Sequence, residues 1–291
     1  MRVAIHGKVF QKEIRKYIQD LFVWIAKNDV EACLSHSFAK ILKKSAIKEL
    51  PDCTYEIGED LSKFDFFLSL GGDGTLLESV THVGSTEIPI VGFNTGRLGF
   101  LATNAPETVR EVMKNLQAGY YQIEERSLLH LECNKNVFEG LNFALNDFTI
   151  TKRDSASMIT VHTYIDGEYL NSYWSDGLII ATPTGSTGYS LSCGGPLILP
   201  RSNNFVITPV SPHNLTVRPM VISDESVISF EIEGRSKNFL VSLDSRSRVI
   251  DASVQLAVSK EKFKAKLVKV NETNFLDTLR SKLNWGWDAR N

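Results

Sequence analysis

The stretch Leu70-Gly71-Gly72-Asp73-Gly74-Thr75-Leu76-Leu77 follows the apolar run Phe64-Asp65-Phe66-Phe67-Leu68-Ser69. It sets one carboxylate inside a glycine turn at the end of an expected strand. Glycines let backbone N–H groups approach an anion, and successive N–H groups form a concave nest for phosphate oxygens. Asp73 would repel a phosphate unless it holds a metal ion or takes a proton from an attacking hydroxyl, and both roles belong to phosphoryl transfer. The competing reading is a tight turn with Asp where unusual backbone angles are tolerated.

A second segment, 175–196, joins the strand-like Gly177-Leu178-Ile179-Ile180-Ala181 to a long turn rich in Gly, Ser and Thr, without a charge between Asp176 and Arg201. So many polar groups exclude a membrane span. The segment reads as a loop lining a site, its hydroxyls and the aromatic face of Tyr189 suiting a base and ribose.

From Arg2 to about Ala118, apolar runs alternate with amphipathic ones, as in an α/β unit with a parallel sheet. Strands are expected at 3–5, 64–70 and 88–93. Helices are expected at 13–28, with Ile14, Tyr17, Ile18, Leu21, Phe22 and Ile25 at helical spacing, at 35–42, and at 107–117, the last opened by Pro106 and closed by Gly119. After Tyr120, short strands follow one another from 128–133 to 265–270, predicting an antiparallel β domain, with Asp166-Gly167 as a hairpin turn. A helix at 274–282 returns to the first domain. The expected organisation is an α/β domain over 1–120, an antiparallel all-β domain over 121–270 that binds the dinucleotide discussed below, and the closing helix within 271–291.

Over 291 residues the formal net charge is −2, with acids and bases interspersed. Neither a basic block nor a basic amphipathic helix points to nucleic acid or a membrane surface. The start, Met1-Arg2-Val3-Ala4-Ile5-His6-Gly7, lacks the features of a signal peptide, so a cytoplasmic location is expected. Cys33, Cys53, Cys133 and Cys193 are scattered and the six histidines are dispersed, so reduced thiols and no protein metal centre are expected.

In order and spacing, Gly71-Gly72-Asp73-Gly74-Thr75, Asn94-Thr95-Gly96-Arg97-Leu98-Gly99-Phe100, Leu145-Asn146-Asp147, Asp176-Gly177-Leu178, Thr182-Pro183-Thr184-Gly185-Ser186-Thr187 and Pro212-His213 with Arg218-Pro219 resemble the NAD kinases. The likeness runs from the first strand through the C-terminal helix. Its first motif is shared with the diacylglycerol kinase and phosphofructokinase superfamily, whereas 176–196 is far more specific. The resemblance implies transfer of a phosphoryl group from ATP to the 2′-hydroxyl of the adenosine ribose of NAD, giving NADP and ADP with a divalent metal, usually Mg2+. It makes Asp73 the proton acceptor and lays Gly74 against the nucleotide. It places Asn146, Asp147, Asp176, Thr187, Gly188, Tyr189, Ser190, Leu191, Ser192 and Arg246 against NAD, and it implies a homodimer or homotetramer.

On the residues themselves, Asn146 can read an adenine edge or cap a turn, and Asp147 can accept from ribose hydroxyls, one methylene shorter than the Glu usual there. Asp176 is a contact or half of an Asp-Gly turn. Gly188 replaces the family's usual alanine. Arg246 reaches a pyrophosphate or pairs with Asp244 or Asp251; Trp174, ahead of Asp176, occupies a place that touches substrate in some relatives, and His213 reads as a positioned loop residue. A lipid or sugar kinase of the superfamily and a non-catalytic dinucleotide-binding regulator are the competing functions. The hydroxyl-rich segment opposes the first and Asp73 the second.

Overall fold

The computed structural model describes residues 1–96, 99–153, 157–270 and 275–284. Arg97 and Leu98 of the glycine-rich stretch, and Asn274, the expected first residue of the closing helix, lie outside the described residues. The chain divides into two compact units, 1–125 with 265–291, and 126–264.

The first unit runs β1 (Arg2–Gly7), α1 (Arg15–Lys27), β2 (Glu31–Ser35), α2 (His36–Lys44), β3 (Thr54–Tyr55), β4 (Phe66–Leu70), α3 (Asp73–Val83), β5 (Ile90–Phe93), α4 (Val109–Ala118) and β6 (Gln122–Arg126). Covered on both faces, β4 has every residue buried, which is why it reads as an unbroken apolar run. Helix α1 turns Ile18, Leu21, Phe22 and Ile25 into the core against Val3, Ile5 and Leu68. The α4 helix stops at Gly119, whose φ of 78° is the left-handed geometry that a C-terminal glycine supplies.

The second unit continues with β7 (Leu129–Cys133), β8 (Phe143–Ala144), β9 (Asp147–Lys152), β10 (Ile159–Ile165), β11 (Glu168–Ser175), β12 (Gly177–Ala181), α5 (Tyr189–Ser192), β13 (Asn204–Val210), β14 (Met220–Ser223), β15 (Ile228–Gly234), β16 (Asn238–Leu243), β17 (Arg246–Asp251) and β18 (Leu256–Lys260). Two six-stranded sheets result, β11-β10-β15-β18-β7-β8 and β14-β13-β12-β9-β16-β17. They share one core, in which Leu131, Val161 and Phe230 of the first sheet meet Phe148, Leu178, Ile180 and Val241 of the second. Asp166 and Gly167 turn β10 into β11 at φ 51° and 85°, as the Asp-Gly pair requires. Along β12, Leu178 and Ile180 enter the shared core while Ile179 and Ala181 pack beneath Cys193 and Ile198 of the hydroxyl-rich segment.

Three features depart from the sequence reading. Ala265–Lys269, expected among the antiparallel strands, is β19 of the first unit, paired parallel to β5 in the order β3-β2-β1-β4-β5-β19-β6. Its burial alternation is alike in either setting, so only the long-range pairing separates them. Cys33 and Cys53, expected as free thiols, form a disulfide, with Cα atoms 4.6 Å apart. Parallel pairing of β2 with β3 sets Leu34 beside Thr54, which brings the preceding cysteines side by side despite a sequence separation of 20. The third is α3 itself, for the glycine turn leads directly into a helix that opens at Asp73. The closing helix, α6 (Phe275–Leu283), belongs to the first unit, where Phe275 meets Phe100 with ring centroids 6.3 Å apart.

Candidate active site

In the first unit the glycine turn sits at the carboxyl ends of β4 and β5. Gly71 N donates to Phe93 O at 3.0 Å and Thr95 N to Gly71 O at 3.4 Å. Sheet order reverses between β1 and β4, since β2 lies on one side of β1 and β4 on the other. Such a reversal is where open α/β sheets bind ligands. Gly71 cannot carry a side chain, because a Cβ there would meet Thr75 Oγ1 at 2.1 Å. At Gly72 and Gly74 an added Cβ would meet nothing within 4 Å, so these backbones face open space.

The Asp73 carboxylate is held by the segment that follows β5. Its Oδ2 accepts from Phe100 N at 2.6 Å, and its Oδ1 accepts from Leu101 N at 3.0 Å and Ala102 N at 3.1 Å. Gly99 passes so close that a Cβ on it would lie 1.7 Å from Asp73 Oδ1. Asn94 and Asn104 brace this segment: Asn94 Oδ1 accepts from Gly96 N, and Asn104 Nδ2 donates to Gly92 O. The half-buried carboxylate is thus fixed in direction by backbone donors.

In the second unit, Asn146 and Asp147 open β9, and Asp244, in the β16–β17 turn, organises them. Its carboxylate accepts from Leu145 N at 2.9 Å, Asn146 N at 2.7 Å and Asp147 N at 3.3 Å. The hydroxyl-rich segment is fastened to the same strand entrance. Thr182 N donates to Asn146 O, and Gly185 fits so tightly that a Cβ would lie 2.0 Å from Asn146 O. Gly188 then arrives with its Cα facing the two side chains: a Cβ there would stand 3.8 Å from both Asn146 Nδ2 and Asp147 Oδ2. Burial, and next the neighbouring Asp244, push the Asp147 carboxyl up to about 7. Desolvation likewise raises Asp244, against the pull of its three backbone donors and Arg246.

Tyr189 is 44 % exposed, which excludes a core role for its ring. Its hydroxyl is raised by burial first and then by the charges of Cys193, Asp176 and Asp147, which places it beside both carboxylates. Asp176 pairs with Lys152 at 2.7 Å at the junction of β11 and β12. Gly188 thus brings Asn146 and Asp147 to the start of α5, on which Tyr189 stands, and the charge of Asp176 is felt at the Tyr189 hydroxyl.

Several of the remaining expected contacts are held by partners within the chain. Ser190 is fully buried and its Oγ lies 2.8 Å from Thr208 Oγ1, so it ties α5 to β13. Thr187 Oγ1 donates to Thr184 O at 3.2 Å; Leu191 is half-buried and Ser192 exposed on α5. Arg246, expected at a pyrophosphate or in an ion pair, donates to the carbonyls of Leu141 and Phe143, with its guanidinium near the rings of Phe138 and Phe143. It holds the chain that leads to Asn146. His213 lies against Trp174, ring centroids 4.4 Å apart and planes tilted by 48°, as a loop residue held by packing. Sequence reasoning missed Asp244 as the carboxylate that sets Asn146 and Asp147, and also Arg126, which is 3 % exposed and donates to Thr184 Oγ1. Neither carries a local signal, because their partners lie 97–99 and 58 residues away.

A directed carboxylate in a glycine turn, and a polar, partly aromatic group suited to a nucleoside, define a nucleotide-dependent phosphotransferase. Comparison with known proteins makes the class specific. Residues 3–121 match the ATP-NAD kinase N-terminal domain and 145–270 the ATP-NAD kinase C-terminal domain. The chain is 54% identical over 293 residues to the NAD kinase of Cytophaga hutchinsonii, and 43% identical over 290 residues to that of Bacteroides fragilis, with 100% of both chains covered each time. Its fold superposes on yeast NADH kinase complexed with NADH at a TM-score of 0.87 and 23% identity, covering 99% of this chain and 88% of that one. It matches an NAD kinase from Archaeoglobus fulgidus in complex with ATP at 0.73 and 27% identity, covering 98% and 99%. The chain belongs to the NAD kinase family, enzymes that phosphorylate NAD with ATP.

Proposed function

We propose that the phosphoryl acceptor is the 2′-hydroxyl of the adenosine ribose of NAD, and that Asp73 takes its proton. The observation that carries this reading is the orientation of Asp73 by the Phe100, Leu101 and Ala102 amides. A carboxylate so fixed orients a hydroxyl without the entropic cost of finding its own place. As the ribose oxygen bonds to the γ-phosphorus, the bond to the β-phosphate oxygen breaks, ADP leaves, and the hydroxyl proton passes to Asp73. Asn146, whose side-chain amide has no hydrogen bond among the described residues, reads the adenine edge. Asp147 receives a ribose hydroxyl, and Tyr189 lies against a ring of the dinucleotide. Thr187, Gly188, Leu191 and Ser192 line the approach.

A divalent ion such as Mg2+, held by the ATP phosphates with at most one or two carboxylates, would neutralise the charge of the triphosphate; the steps above belong to the chain's own groups. Among the described residues no helix is long and apolar enough to cross a membrane. We place the chain in a homodimer or homotetramer, which light scattering on the purified protein tests; a monomer at working concentration would overturn that assignment.

With ATP labelled at the γ-phosphate, NAD should acquire label and NAD lacking the adenosine 2′-hydroxyl should acquire none. Labelling of the deoxy compound would place the acceptor at another hydroxyl.

A further inference from the structure

Away from Asp73, β1 and α3 bring together His6, Glu78 and His82, with one donor atom from each within 4.8 Å of the others. Glu78 and His82 stand four residues apart on α3, which puts them on one face a turn apart. His6 comes from β1, the parallel neighbour of the strand that feeds α3.

Ordinary packing leaves this cluster unsatisfied. His6 Nε2 and His82 Nδ1 are both buried without a hydrogen-bond partner. Glu78 Oε1 stands 3.6 Å from His6 Nε2, an ion-pair contact longer than a hydrogen bond. Buried ring nitrogens are seldom left so, because each forfeits its hydration without replacement. The ion pair between Lys8 Nζ and Glu78 Oε2 at 2.6 Å accounts for one carboxylate oxygen and for neither imidazole.

The surroundings suit a ligand histidine. His6 Nδ1 lies 2.8 Å from Ser35 Oγ, itself fixed by accepting from Phe38 N. A proton on Nδ1, donated to that hydroxyl, leaves the Nε2 lone pair facing the cluster, the arrangement by which metal-binding histidines are oriented. Tyr55 and Phe67 flank the His82 ring at 5.7 Å and 6.0 Å between centroids, a wall that limits water.

We propose that His6, Glu78 and His82 bind a divalent transition-metal ion of the zinc class. Two imidazoles and one carboxylate form a borderline-soft set that zinc takes tetrahedrally with a fourth position open, whereas Mg2+ demands oxygen. Zinc bonds of about 2.0–2.1 Å set donors about 3.3 Å apart, so the cluster closes slightly on binding. The ion fastens β1 to the helix that begins at Asp73.

The test is zinc uptake by the full-length protein after chelator treatment, with Co2+ as a spectroscopic reporter of coordination geometry. The expected result is one equivalent per chain, undisturbed by millimolar Mg2+, with a Co2+ spectrum of low coordination number and a Tm that rises with zinc. His82→Gln and Glu78→Gln should each weaken zinc binding at least tenfold and abolish the zinc-dependent rise in Tm, and circular dichroism should report the native fold in both. Two variants guard against one that fails to fold. No uptake by the native chain, or uptake unchanged in both variants, would overturn the site.

Discussion

Asp147 carries a pH dependence that its neighbours impose. Its carboxyl titrates near 7 in the folded chain against 3.8 for an ordinary aspartate, through burial and the proximity of Asp244. Between those values the folded state holds a proton that the unfolded chain releases, so this residue costs stability progressively as pH rises from about 4 to 7. Asp147→Asn removes that cost. In denaturant unfolding, the stability of the variant relative to the native protein should improve from pH 5 to pH 8 by about 2–3 kcal/mol. An unchanged difference would mean that the carboxyl is ionised throughout. A lone acid among glycines marks Asp73 by its own local chemistry, whereas Asn146 and Asp147 were marked by the resemblance to the NAD kinases. Asp244 was not, because its worth lies in three amides brought close only by the pairing of β9 with β16.

At the scale of elements, the hydroxyl-rich segment works as a clamp whose glycines differ in what they allow. Gly185→Ala drives a methyl into Asn146 O, at 2.0 Å, and neither partner is a flexible side chain. It should destabilise the protein by about 1–3 kcal/mol and weaken NAD binding, read by calorimetry. In Gly188→Ala the tightest contact is Gly185 O at 3.2 Å, the others being ordinary ones at 3.8 Å, and stability should change by less than about 1 kcal/mol. Equal effects would contradict the fit of this segment against β9. The β2–β3 pairing makes a different claim: without reductant the denatured protein should titrate two thiols, Cys133 and Cys193, and after reduction four. Four at the outset would break the Cys33–Cys53 assignment. Most elements could be read from apolar period and turn chemistry, as the Asp-Gly hairpin and Gly119 attest. The parallel partner of β19 could not, since it depends on a strand distant in sequence, nor could the cysteine pair and the two-residue strands β3 and β8, which are too short to carry a period of their own.

For the whole molecule, the order of the chain explains why one polypeptide makes two units. A parallel sheet needs crossover connections and is built from helices and strands in alternation; the antiparallel unit is inserted after β6, and the chain then returns with β19 and α6 to complete the first. The fold class follows from that change of texture near residue 120, visible in the sequence, whereas the return is visible only in the pairing. The proposed function assigns the chemistry to Asp73 of the first unit and the recognition to Asn146, Asp147 and Tyr189 of the second. The most direct measurement incubates the purified protein with NAD, ATP and Mg2+ and follows NADP through an NADP-specific dehydrogenase, for the native chain and for Asp73→Asn. The account predicts NADP from the native chain, and a rate lower by roughly 10²–10⁴-fold in the variant with NAD binding retained. A variant as active as the native protein would contradict it.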